Sequence, residues 1–183
     1  MRRARSQSGE FDTADYLGVR FFPEGFIVTD LSKVFESEKI KNLTLGAPLV
    51  VQRASTISEV LKKMQGERRT YAVVAENRRV VGIFTERDMM TRAVEQRPPE
   101  TTPIEKLMTP NPSVLKDEDS VAEAIRIMNR GGYRHVPIVN SEGELLGVLG
   151  VRDLIRYLAD HYPYEVYNLP PDPRQIIREA EGA

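Results

Sequence analysis

The sequence predicts a mixed α/β (α+β) fold of two β-α-β-β-α units packed about a pseudo-two-fold axis. Three observations carry that prediction: the chain repeats itself once, each copy alternates β-rich runs with amphipathic helical stripes, and each copy is too short to close a sheet alone. Ile40-Lys41-Asn42-Leu43 stands above Ile104-Glu105-Lys106-Leu107 at an offset of 64 residues. The register then holds, with Pro48 on Pro112, Val50 on Val114, Thr56 on Ser120, Glu59 on Glu123 and Met64 on Met128. One extra residue near Gly131-Gly132 raises the offset to 65, which puts Arg69 on Arg134, Val73-Val74 on Ile138-Val139, Gly82 on Gly147 and Asp88 on Asp153.

Each copy reads the same way from its start. A short apolar strand, Leu49 to Gln52 or Ser113 to Lys116, leads to a hydroxyl-x-x-Glu capping box, Thr56 with Glu59 and Ser120 with Glu123. The helices that follow carry apolar residues at i, i+3, i+4 and i+7: Ile57, Val60, Leu61, Met64, and Val121, Ala124, Ile125, Met128. Met64 and Met128 are thereby assigned to the core. Two β-rich runs around a polar turn come next, Thr70 to Ala75 with Val80 to Phe84, then His135 to Val139 with Glu144 to Leu149. A second helix closes each unit, opening near Thr85 and near Gly150. The organisation is a flank over 1–38, a first repeat over 39–97, a linker over 98–103 carrying Pro98, Pro99 and Pro103, a second repeat over 104–161 and a tail over 162–183.

Composition narrows the function classes. No Cys is present and only His135 and His161 offer imidazole, which excludes thiolate metal sites and leaves little from which to build a zinc site. A net charge of −1 lacks the footprint of a nucleic-acid binder, and no apolar run reaches the roughly 18 residues of a membrane span. Polar Ser6 to Glu10 follows the basic Met1 to Arg5 where an export signal needs an apolar stretch, so a cytoplasmic protein is expected. No GxxxxGK[ST] loop, GxSxG elbow, HExxH pair or Cys nucleophile occurs, and the reading is of a binding module, not an enzyme.

The repeat resembles the cystathionine β-synthase (CBS) domain over roughly residues 39 to 161. The residues that carry the resemblance are Leu107-Met108-Thr109-Pro110-Asn111-Pro112, Arg134-His135-Val136-Pro137-Ile138-Val139, and Gly82-Ile83-Phe84-Thr85-Glu86-Arg87-Asp88. The second copy of the last segment, Gly147 to Asp153, has Gly150 where the family has a hydroxyl. The resemblance implies a tandem pair that binds an adenosine nucleotide, AMP, ADP or ATP, with no other cofactor required. It also implies sites shared between copies: Thr109, Val114 and Arg134 with Ile83, Thr85 and Asp88, and Leu45, Val50 and Arg69 with Val148, Gly150 and Asp153.

The chemistry of these residues suits that ligand. A carboxylate accepts hydrogen bonds only, so Asp88 or Asp153 can take both vicinal hydroxyls of a ribose. Phosphates are repelled by the same carboxylate and are expected toward Arg69, Arg134, His135, Arg87 and Arg152. Because Leu45 and Gly150 replace Thr109 and Thr85, the Asp153 side is expected to bind more weakly than the Asp88 side. As bare helix caps, Thr85 and Asp88 would stabilise α-helix starts without any ligand. The flanks hold nine of the thirteen aromatics, among them Phe11, Tyr16, Phe21, Phe22, Phe26, Phe35, Tyr162, Tyr164 and Tyr167, and are expected to dock on the pair or on a partner. The expected assembly is a homodimer that signals through its flanks or an effector protein; a structural dimerisation module with a vestigial site is the alternative.

Overall fold

The computed structural model describes residues 19–21, 27–29, 31–94 and 97–163 of the 183. An antiparallel ribbon, β1 (Val19–Phe21) with β2 (Ile27–Thr29), precedes helix α1 (Leu31–Ser37). The first copy then supplies β3 (Val50–Val51), α2 (Ile57–Gly66), β4 (Tyr71–Glu76), β5 (Arg79–Thr85) and α3, which opens over Glu86–Asp88 and continues as a π-helix over Met89–Val94. The second supplies β6 (Thr109–Pro110), β7 (Leu115–Lys116), α4 (Val121–Gly131), β8 (His135–Val139), β9 (Leu145–Gly150) and α5 (Val151–His161). The expectations for Phe11, Tyr16, Phe22, Phe26, Tyr164 and Tyr167 concern residues outside those described.

Local chemistry explains the element boundaries. The first strand is shorter than its apolar run because the chain turns at Gln52, whose carbonyl accepts from Ser55 N. At the head of α2 the capping box is complete: Glu59 N donates to Thr56 Oγ1 and Thr56 N to the Glu59 carboxylate. At the head of α4 only half of it forms. Glu123 N donates to Ser120 Oγ, but the Glu123 carboxylate is drawn away to Arg126 one turn on. The hairpin from β4 to β5 closes through Asn77 and Arg78, both at positive φ (47° and 66°), the two-residue turn whose twist matches its strands.

The two sheets exchange their edges. In the first, β3 runs parallel to β4, β4 antiparallel to β5, and β5 antiparallel to β6, which comes from the second copy. In the second, β7, β8 and β9 repeat that pattern, and Gly46 of the first copy bridges Val148 on β9. The cores follow the exchange. Ile104, Leu107 and Met108 pack with Leu49, Val60, Val74 and Phe84 of the first copy, while Ile40 and Leu43 pack with Leu115, Val121, Ile138 and Leu149 of the second. Phe35 on α1 packs against this second core, so that part of the N-terminal flank docks on the pair. Tyr71, Val73 and Val148 form a third buried cluster where the sheets meet. No helix among the described residues is long and apolar enough to cross a membrane.

Candidate functional site

Thr70 and His135 mark the pseudo-two-fold axis. They are counterparts at the 65-residue offset, and Thr70 Oγ1 lies 3.4 Å from His135 Nε2, as only residues beside the axis can. The imidazole also leans on the Tyr71 ring, with centroids 4.6 Å apart. Burial holds the His135 pKa below its ordinary value; Asp153 and Glu86 oppose that effect, and Arg134 and Arg152 add to it. Burial likewise raises the Tyr71 phenol, against the pull of Arg69.

Around this axis lies a cleft of about 900 Å³. From the first copy it draws Arg69 just ahead of β4, Ile83 and Thr85 on β5, and Arg87 and Asp88 on α3. From the second come Thr109, Arg134, His135, Val148, Arg152 and Asp153, with Gly150 at the head of α5. The sequence-predicted residues converge on this one cavity with three exceptions, Val50, Val114 and Leu45. Val50 lines a separate hollow of about 510 Å³ with Pro48, Lys63, Arg78 and Leu145, and Val114 is an exposed surface residue. The cause is strand alternation: Val51 and Leu115 take the core side, which turns Val50 and Val114 outward. Leu45 packs over Gly147 as part of the second core.

Sequence reasoning passed over Arg68, Glu86 and Arg156, which also line the cleft. With Arg69, Arg87, Arg134 and Arg152 they give six guanidinium groups against three carboxylates in a chain of net charge −1. Arg156 was legible as the residue one turn beyond Asp153; Arg68 sits at positive φ (52°), which nothing in its neighbours signals.

The two Asp residues differ in what already holds them. Asp88 Oδ2 accepts from Thr85 N (2.9 Å) and Thr85 Oγ1 (2.7 Å), and Oδ1 from Thr109 Oγ1 (2.9 Å), with Arg92 Nη1 at 3.4 Å. Arg92, in the π segment of α3, is itself anchored on the carbonyls of Leu107 (3.0 Å) and Met108. Asp153 accepts from Gly150 N (2.8 Å) and from Arg156 Nη2 (3.1 Å) alone. Arg87 reaches across to the Gly132 carbonyl (3.1 Å). Among the described residues no group of three or more His, Asp or Glu side chains is placed to hold a metal.

Two copies of one β-α-β-β-α unit, exchanging edges across an axis and lining one polar cleft between them, define a tandem-repeat module. The chain belongs to the CBS domain family, whose model matches residues 40–95 and 104–160. An uncharacterized 17.7 kDa protein of Acidianus ambivalens is 37% identical over 123 residues, 67% of this chain and 74% of its own length. A CBS domain-containing protein of Arabidopsis thaliana is 35% identical over 97 residues; the match spans 52% of this chain and only 18% of that relative. Among solved structures, a CBS domain protein of Pyrobaculum aerophilum complexed with AMP superposes with a TM-score of 0.60 at 33% identity, covering 67% of this chain and 98% of that one.

Proposed function

We propose that the protein binds an adenosine nucleotide, AMP, ADP or ATP, in the cleft between its repeats and passes the occupancy of that cleft to its flanks or to an effector protein. The observation that carries this reading is the lining of the cleft: six arginines around the axis and, at the head of α5, the Asp153 carboxylate with only two donors on it. A ribonucleoside phosphate presents what such a lining takes, a vicinal diol for a carboxylate and phosphate oxygens for guanidinium groups. Ile83 and Val148 offer apolar wall for a base. The Pyrobaculum protein complexed with AMP covers the same two thirds of the chain. The role is regulatory, and the setting cytoplasmic.

Helix α5 supplies a path for the signal. Its first turn presents Asp153 to the cleft, and one turn later Tyr157 meets Glu38, just after α1. A ligand that favours one setting of α5 thereby shifts the N-terminal flank, provided it binds the two settings unequally. Met90 and Ile155, counterparts at the 65-residue offset, are both 57% exposed and form the surface on which a second copy stacks.

Thermal melting with and without AMP, ADP and ATP tests the reading, because a ligand selective for the folded state raises the midpoint. A midpoint that none of the three moves would leave the structural dimerisation module in its place. Light scattering that finds only monomer at every concentration, with and without nucleotide, would remove the second copy.

A further inference from the structure

Resting on the nucleotide reading above, we infer that the ribose diol is taken by Asp153 alone, giving one nucleotide per chain, and that Asp88 is a latch between the repeats. A carboxylate has about four lone-pair positions. At Asp88 three hydrogen bonds and the Arg92 guanidinium occupy them, and the residue is 6% exposed. A diol arriving there must displace Thr109 and Arg92, and Arg92 is tied to the backbone of the exchanged segment through Leu107 and Met108. At Asp153 two positions are taken, one of them by Arg156, whose side chain is 60% exposed and free to swing aside.

The difference comes from three pairs of counterparts. Thr85 corresponds to Gly150, Thr109 to Leu45, and Arg92 to Tyr157 in the repeat register. Thr85 and Thr109 donate to the Asp88 carboxylate and Arg92 pairs with it at 3.4 Å, whereas Gly150 and Leu45 carry no side-chain donor and the Tyr157 phenol lies by Glu38 and Tyr162. The hydroxyls that a sequence reading counts as help for a ligand are spent inside the protein.

The test measures AMP and 2′-deoxy-AMP by titration calorimetry on the full chain, for the parent, Asp153→Asn and Asp88→Asn. The parent binds one AMP per chain and prefers it to the deoxy form about tenfold, the worth of one hydrogen bond to a charged group. Asp153→Asn weakens AMP about tenfold or more and erases the preference for the ribose. Asp88→Asn keeps both the affinity and the preference while lowering the melting midpoint of the unliganded protein by several degrees. Should Asp88→Asn fail to fold, Arg92→Met removes the latch cation with the carboxylate in place, and the same retained affinity and lowered midpoint are expected. Two equivalent AMP sites in the parent, or a ribose preference that survives Asp153→Asn and disappears in Asp88→Asn, overturns the inference and leaves the nucleotide reading standing. A parent that binds neither ligand overturns both.

Discussion

His135 shows what a residue gains from lying beside its own counterpart. Because Thr70 and Tyr71 close over its ring, the imidazole loses water and its protonated form is disfavoured, even with Asp153 nearby. The folded state therefore binds fewer protons than the unfolded chain at acidic pH. Stability is complete above the unfolded value near 6.5 and is lost as pH falls below it toward the folded value. Urea midpoints measured between about pH 6.5 and 5, above the range in which carboxylates protonate, should fall with pH in the parent and fall less in His135→Gln; parallel slopes would remove His135 as the cause. His135 was readable from the sequence as a site residue because it lies in the Arg134 to Val139 signature. Its contact with Thr70 was not, since alignment of two copies shows which residues correspond and not which correspondents touch. The ranking of Asp88 over Asp153 rests on residue types alone: a hydroxyl three residues from a carboxylate reads alike whether it points at a ligand or back at the acid.

At the scale of the elements, two glycines are required by the exchange of edges. A Cβ on Gly82 would lie 2.2 Å from Met108 Sδ, and one on Gly147 would lie 2.9 Å from Leu45 Cβ and 3.3 Å from the Gly46 carbonyl. Each glycine sits on the last strand of a copy, where the lead-in of the other copy crosses it. Gly66, ending α2, has nothing within 4 Å of such an atom. Gly82→Ala and Gly147→Ala should each cost about 1–3 kcal/mol by overpacking, whereas Gly66→Ala should be neutral or gain up to about 1 kcal/mol from helix propensity. Denaturant unfolding of the three variants checks this, and equal effects at all three would dissociate the glycines from the crossing. Helices α2, α4 and α5 and the paired β-runs were legible because their periodicity and caps are local. The two-residue β6 was not, since Thr109–Pro110 becomes a strand only through its pairing with Gly82 and Ile83 on another copy. Nor was the π segment of α3, whose sequence Met89-Met90-Thr91-Arg92-Ala93-Val94 carries no break in helical pattern.

For the whole molecule, the repeat seen in sequence and the unit that folds around a core are different sets of residues. Ile40 opens the first copy and is fully buried in the core of the second, beside Val121, Ile138 and Leu149; Ile104 opens the second copy and is fully buried in the core of the first, beside Val60, Val74 and Phe84. The backbone confirms the crossing, for Ile40 N donates to the Asp119 carbonyl and Ile104 N to the Ser55 carbonyl. Sequence periodicity cannot distinguish this arrangement from one in which each lead-in stays at home, because both bury the same apolar residues. Truncating either isoleucine to Ala should cost about 2–5 kcal/mol through lost transfer energy and the cavity left behind. The location of the damage is the sharper measurement. Local opening follows the contacts of a cooperative unit, so Ile104→Ala should speed amide hydrogen exchange in α2 and β4 of the first copy more than in α4 and β8 of the second. Ile40→Ala should do the reverse. If exchange instead rises within the copy that carries the substitution, the lead-in segments stabilise their own repeats and the exchanged cores are not the units that open.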